Sequence, residues 1–295
     1  MFLIDRRYFR YFDWVTFVAA LLLSATGLLA IFSATHRPEL PYSIFFKKQL
    51  IGLTCGLALY IFCSLTDYRT FCRAGFYLYF GVILLLLFTI IKGSIGMGAQ
   101  RWINLFFFKA QPSELAKLFF PTFFAYAFSD QKADSFRWRT FAAFLLALGT
   151  SFFLIAKQPD LGTALTVFFC GLSLFWLAGA QRKFFITLFI AMLIGIPIGW
   201  RLLKPYQKNR IAVFLGQHKN NNEGYQIEQS KIAIGSGGLW GKGFLKGTQN
   251  NLRFLPEGRT DFIFAVICEE WGLAGASIVI LLYAILFLRL FWIIL

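Results

Sequence analysis

Eight apolar runs, each close to the ~20 residues a helix needs to cross a bilayer, recur along this 295-residue chain. They fall at about 14–32, 46–65, 75–91, 114–129, 140–156, 161–180, 184–203 and 262–294. A chain that is apolar at this density cannot satisfy its backbone in lipid except as helices or a closed barrel, and runs of this length fit helices. The expected fold class is therefore all-α. The chain reads as a polytopic integral membrane protein with eight transmembrane helices, forming a single membrane domain over 1–295. One long segment, 204–261, separates the last two runs and is expected to be an extracytoplasmic loop. Composition agrees: 58% of residues are hydrophobic and 15% charged, against about 45–50% and 25% in soluble domains. The net charge of +15 then points to anionic headgroups or an anionic lipid-linked substrate. It does not point to nucleic acid, because no soluble basic domain is present to bind it.

Cysteines and histidines exclude several chemistries. The five cysteines form an odd set without a CxxC pair, and all but Cys72 lie inside apolar runs, where packing is their expected role. His36 and His218 are far apart, so no zinc or haem constellation is visible. Arg6-Arg7 precedes an apolar run, but the run from Trp14 to Phe32 is long for a signal sequence and no small-residue cleavage site follows. A retained first helix is expected.

Basic residues lean the topology towards a cytoplasmic N-terminus. On that side would lie Arg6, Arg7, Arg10, Arg69, Arg73, Lys132, Arg137, Arg139, Arg182 and Lys183. Opposite them would lie Arg37, Lys47, Lys48, Lys92, Arg101, Lys109 and Lys157, ten against seven. Parity says more. Gly98-Ala99-Gln100-Arg101-Trp102, Gln111-Pro112-Ser113-Glu114-Leu115-Ala116-Lys117, Lys157-Gln158-Pro159-Asp160 and the polar 226–261 stretch all fall on odd-numbered connections. They therefore share one membrane face, and a single composite site is the expectation.

Glu114 and Lys117 are three residues apart behind Pro112, a residue suited to the first turn of a helix. They read either as a structural ion pair or as substrate contacts. Asp160 precedes an apolar run at the position of a helix cap; its alternative role is a second carboxylate that tunes a partner or holds a divalent cation. The run Gly235-Ser236-Gly237-Gly238-Leu239-Trp240-Gly241-Lys242-Gly243 is not a P-loop, because Gly243 stands where Ser or Thr should follow Lys242. It is not a dinucleotide fingerprint either, because Trp240 stands where a glycine is required. Close backbone packing or a re-entrant excursion explains those glycines better. Lys231, Lys242, Lys246, Arg253 and Arg259 could still attract a diphosphate. Asp261 ends this basic stretch at the mouth of the last apolar run, placed to act as a general base, with a helix cap as the simpler alternative. Glu269 and Glu270 lie two turns further in, where capping of their own helix cannot explain them, and are expected to face the interior.

Taken together, GAQRWI, QPSELAKL, KQPDLGTAL, QSKIAIGSGGLWGKG and FLPEGRTDFIFAVICEEWG resemble the RodA/FtsW (SEDS) family, more nearly its RodA branch. The resemblance covers all eight runs in family order. It implies a glycosyltransferase in the bacterial inner membrane that polymerises lipid II into peptidoglycan strands. It also implies a cytoplasmic N-terminus and a class B penicillin-binding protein as partner. The family's essential aspartate falls on Asp261. Its Glu and Lys fall on Glu114 and Lys117, and its RW pair on Arg101 and Trp102. With Asp160, Lys242 and Arg259 these form the candidate substrate-binding set. No cofactor is implied beyond that divalent cation. The family has ten spans and a C-terminal glycine-serine motif, so a C-terminally shortened member is expected. Two other functions stay open, a lipid II flippase that uses intramembrane charges as its path and a non-catalytic scaffold for the penicillin-binding protein.

Overall fold

A computed structural model describes residues 12–37, 42–96, 99–105, 108–129, 138–203, 205–215, 222–252, 254–255 and 257–294. Each of the eight apolar runs is helical: α1 (Trp14–Thr35), α2 (Ile44–Leu65), α3 (Tyr68–Lys92), α4 (Pro112–Ser129), α5 (Trp138–Lys157), α6 (Leu161–Leu177), α7 (Arg182–Leu202) and α11 (Ile263–Ile294), the last broken at Gly272. Four of these, α1, α2, α3 and α11, are long and apolar enough to cross a membrane. Two shorter apolar stretches, Phe141–Lys157 and Leu161–Leu177, lie within α5 and α6. The sixth run ends three residues earlier than its hydropathy suggests. Gly179 takes a left-handed conformation (φ 80°), and the Ala180 and Gly179 amides return to the Phe175 and Trp176 carbonyls, a glycine-terminated helix stop.

Two expectations change. The fold is mostly helical but not all-α, since the connection between α3 and α4 holds a small antiparallel sheet in the order β1 (Ser94–Gly96), β2 (Ala99–Leu105), β3 (Phe108–Ala110). The strands are too short for period-two alternation to stand out beside the apolar runs. The 204–261 segment, expected as a loop, carries three helices: α8 (Pro205–Phe214), α9 (Asn222–Ser236) and α10 (Thr248–Asn251). In α9 the buried positions include Gly224, Ser230 and Ala233. Helical spacing is present, but the residues are too small and polar to register as an apolar face.

The chain divides into two compact units, residues 66–197 and residues 1–65 with 198–295. In the first, α3, α4, α5 and α6 surround an aromatic core in which Phe120, Phe144 and Phe175 are almost fully buried. The Tyr79 and Phe123 rings lie 4.5 Å apart. Buried Tyr79 joins Ser151 at 2.8 Å, and the Gln158 side chain donates to the Leu86 carbonyl at 3.0 Å, so helix faces are tied by polar bonds as well as packing. In the second unit α11 packs on α1 through Ala30, Ile267 and Val279, and α9 packs on α11 through Ala233, Ala265 and Val266. Asp13 caps α1 and accepts from Arg289 at 3.1 Å. Burial pushes the Asp13 carboxyl up, but hydrogen bonds from Thr16 and Arg289 outweigh it and hold the group below the usual carboxylate range.

Candidate active-site elements

In the unit of residues 66–197, three separate motifs meet at one carboxylate. Asp160 caps α6, its Oδ1 accepting from the Thr163 amide at 3.3 Å. Its Oδ2 accepts from the Gln111 side chain at 2.7 Å and the Ser113 hydroxyl at 3.4 Å, while Arg101 Nη1 lies 3.8 Å away. Arg101 is held on β2, which pairs with β1 so that Trp102 faces Ser94, whose hydroxyl also donates to the Trp102 carbonyl at 3.0 Å. Pro112 opens α4 and sets Gln111 and Ser113 on either side of the helix start, where side chains seek local acceptors. Asp160 is thus both a cap and an organising acceptor. The donors around Oδ2 give it the surroundings of an anion that orients a guanidinium. Among the described residues buried Arg101 Nε has no partner, so the guanidinium is not fully spent on Asp160.

Glu114 and Lys117 pair at 2.8 Å across one helical turn of α4, with their side chains 55% and 34% exposed. A pair this open contributes about 0–1 kcal/mol to folding. Its placement leaves both charges accessible to a ligand.

In the other unit the glycine-rich run is spliced into a broken helix. Within α11, Gly272 adopts φ 67°, ψ −162°, and the ladder fails there. The Glu269 and Glu270 carbonyls accept instead from the amides of Lys242 (3.0 Å) and Gly243 (2.9 Å), and the amides of Leu273 and Ala274 donate to the carbonyls of Gly238 (2.9 Å) and Leu239 (3.1 Å). Four backbone groups opened by the break are satisfied by one loop. A Cβ on Gly241 would collide with the Glu270 carbonyl, and one on Gly272 with the Gly241 amide. Close backbone packing is therefore the role of these two glycines.

The acids behind this splice are buried. Glu269 Oε1 accepts from Lys242 Nζ (2.7 Å), the Thr248 amide and hydroxyl (2.8 and 2.9 Å) and the Gln249 amide (3.1 Å). Glu269 does not cap its own helix; it caps α10. Glu270 accepts from the Ser33 hydroxyl and from the Leu245 and Gly247 amides. From α10 the chain is stitched forward, with Phe254 N donating to the Gln249 carbonyl at 3.0 Å and Leu255 buried against α9 and α11. Glu257 O then accepts from the Thr260 and Phe262 amides, both at 3.2 Å, closing the turn that bears Asp261. Asp261 itself is exposed. Arg259, on the same turn, lies over the Phe45 ring, its guanidinium carbon 4.0 Å from the ring centroid.

Of the candidate residues, the structure brings Arg101 and Asp160 together in one unit, with Trp102 next to Arg101 on β2 and Glu114 and Lys117 on α4, the helix that supplies Ser113. It places Asp261 and Arg259 on one turn in the other unit. Lys242 is bonded to Glu269 and Thr248. Arg253 lies outside the described residues. Ser33 and Phe45 were not singled out from sequence, and Gln111 and Ser113 were named only within their motif, with no role of their own. Gln111 and Ser113 had a signal, being polar residues flanking a helix-opening proline. Ser33 had a weaker one, a small hydroxyl inside an apolar run. Among the described residues no group of three or more His, Cys, Asp or Glu side chains could hold a metal ion.

A family model described as cell cycle protein, FTSW_RODA_SPOVE, matches residues 13–295. The chain belongs to the FtsW/RodA/SpoVE family. It is 38% identical over 277 residues to the peptidoglycan glycosyltransferase MrdB of Escherichia coli K12, covering 92% of this chain and 73% of that protein. It is 33% identical over 293 residues to the MrdB of Helicobacter pylori strain 26695, covering 98% and 74%. Its fold matches a chain solved in a study of a peptidoglycan synthase complex that coordinates polymerization and crosslinking, with TM-score 0.74 at 25% identity, over 95% of this chain and 77% of that one. It also matches the Thermus thermophilus rod shape determining protein RodA, with TM-score 0.64 at 27% identity, over 95% and 74%. In this FtsW/RodA/SpoVE member, then, the motifs that suggested the family from sequence are those that build the Asp160 node and the splice behind Asp261.

Proposed function

We propose that this chain is a peptidoglycan glycosyltransferase that polymerises lipid II, with Asp261 as general base. The observation that carries the reading is an exposed carboxylate on a fixed turn at the head of α11, in a member of a family whose curated relatives are peptidoglycan glycosyltransferases. Asp261 accepts the proton of the acceptor sugar 4-hydroxyl as its oxygen attacks the donor anomeric carbon. The anomeric carbon–oxygen bond breaks, and undecaprenyl diphosphate leaves with the electron pair. Charge on the leaving diphosphate is countered by a cation, for which Arg259, on the turn of Asp261, carries accessible donors. Lys242 contributes through the segment it fixes, and in the unit of residues 66–197 Arg101, Trp102, Glu114, Lys117 and Asp160 form a polar surface of their own for substrate.

The same proposal places the protein in the bacterial inner membrane with eight spans in this chain, a cytoplasmic N-terminus and the 204–261 segment on the outer face. A class B penicillin-binding protein would crosslink the strands. Transport is the weaker reading. Of the four charges that motivate it, Glu114, Lys117, Glu269 and Glu270, the last two are buried and engaged by Lys242, Ser33 and backbone amides. They do not line an aqueous path.

The test is lipid II polymerisation by Asp261→Ala and Asp261→Asn with the partner protein present. Loss of a general base costs about 10²–10⁴ in rate. Near-normal rate and strand length in either variant would refute the role, and chelation in the same assay tests for a divalent cation.

A further inference from the structure

Arg259 stands two residues before Asp261 on a turn closed by backbone bonds. Among the described residues no acceptor takes its side-chain donors; its one close partner is the Phe45 ring, 43% exposed, at the start of α2. A guanidinium lying on an aromatic face keeps its five N–H donors in the plane and free at the edges. That is the geometry for forked binding of a phosphate, which needs donors in a plane rather than a point charge. A free arginine must lose side-chain freedom to make such a fork, and the ring restricts it beforehand.

We propose that Phe45 is a positioning residue, bracing Arg259 over its ring so that the guanidinium's N–H donors receive a phosphoryl anion beside Asp261. Resting on the glycosyltransferase reading, we take that anion to be the substrate's diphosphate. An anionic lipid headgroup would offer the same chemistry, and the test separates the two.

Full-length protein with its partner is reconstituted in vesicles, and kcat and KM for lipid II are measured for Phe45→Leu, Phe45→Trp, Arg259→Ala and the double variant Phe45→Leu/Arg259→Ala. Displacement of labelled inorganic pyrophosphate from the purified protein is measured beside them. Phe45→Leu should lose roughly fivefold in kcat/KM, the size of a partly exposed cation–π contact, with a matching weakening of pyrophosphate binding. Phe45→Trp should restore most of both. In the Arg259→Ala background Phe45→Leu should have no further effect, because it acts through the guanidinium. An equal loss from Phe45→Leu with and without Arg259, or a tryptophan variant no better than leucine, overturns the proposal. So does a Phe45→Leu defect that vanishes in vesicles without anionic lipid while pyrophosphate binding is unchanged, the signature of a headgroup site. Aromatic-dependent pyrophosphate binding in a protein that forms no polymer would count against glycosyl transfer and leave the brace standing.

Discussion

Lys242→Met should be the most damaging single change at the Glu269–Lys242 pair, and its cost follows from the burial of the two groups. Glu269 is fully buried, whereas the Lys242 side chain is 28% exposed. Removing the lysine leaves a buried carboxylate with three neutral donors on Oε1 and, among the described residues, none on Oε2. Breaking a buried pair from that side costs about 3–5 kcal/mol. Glu269→Gln is milder. Its amide oxygen can keep the Thr248 and Gln249 donors, and the released ammonium can turn to water, so the loss is about 1–3 kcal/mol. The double variant removes both charges and should recover at least ~1 kcal/mol relative to Lys242→Met alone.

Thermal unfolding in one detergent, followed by tryptophan fluorescence, reads this order. At ~2–4 °C per kcal/mol, Lys242→Met should fall roughly 6–20 °C below the native midpoint, with the other two variants in between. Amide exchange at Thr248 and Gln249 should rise most in Lys242→Met, because those amides hold α10 to the same carboxylate. A Lys242→Met protein as stable as Glu269→Gln, or a double variant no better than Lys242→Met, would refute the buried-charge account.

Asp160→Asn separates capping from charge, since asparagine caps as well as aspartate. The midpoint should move by less than ~2 °C while KM for lipid II rises several-fold as Arg101 loses its anion; an unchanged KM would remove Arg101 orientation from the account. Glu114→Gln and Lys117→Met should each change stability by less than ~1 kcal/mol, because the pair is open to solvent. A more than tenfold loss of polymerisation at normal stability would then assign the pair to substrate rather than structure. Gly272→Ala should prevent recovery of folded protein, as it needs φ 67° and has no room for a Cβ, whereas Gly235→Ala, with open space around it, should be tolerated. Size-exclusion profiles from detergent decide, and the pair must differ.

The helices were legible because hydropathy over a run is a sum, and a sum tolerates local irregularity. All eight appeared within a few residues of their edges, apart from the N-terminal turns of α3. The sheet at 94–110 and the helices between 204 and 261 were not legible, because they depend on particular neighbours. α9 buries glycine, serine and alanine against α11, and α10 is four residues whose amides need Glu269 from 20 positions away. The same contrast runs through the site. Asp160 as a cap could be read from one local position. Its gathering of Arg101, Gln111 and Ser113 could not, because that requires β2, α4 and α6 to meet.

The last apolar run shows most clearly what a sum conceals. As one helix of 32 residues it would be about 48 Å long, well beyond the ~30 Å hydrocarbon core. Gly272 divides it, and the portion from Leu273 to Ile294 is by itself about 33 Å, a sufficient span. The residues before the break are thereby freed from crossing the bilayer. Their carbonyls, opened by the break, capture Lys242 and Gly243, and their acids capture Lys242, Thr248, Gln249 and Ser33. The glycine run, the helix break and the two glutamates are therefore one device. Its consequence is that the turn carrying Arg259 and Asp261 is held from behind by buried bonds, so an exposed carboxylate can keep one position without a partner of its own among the described residues.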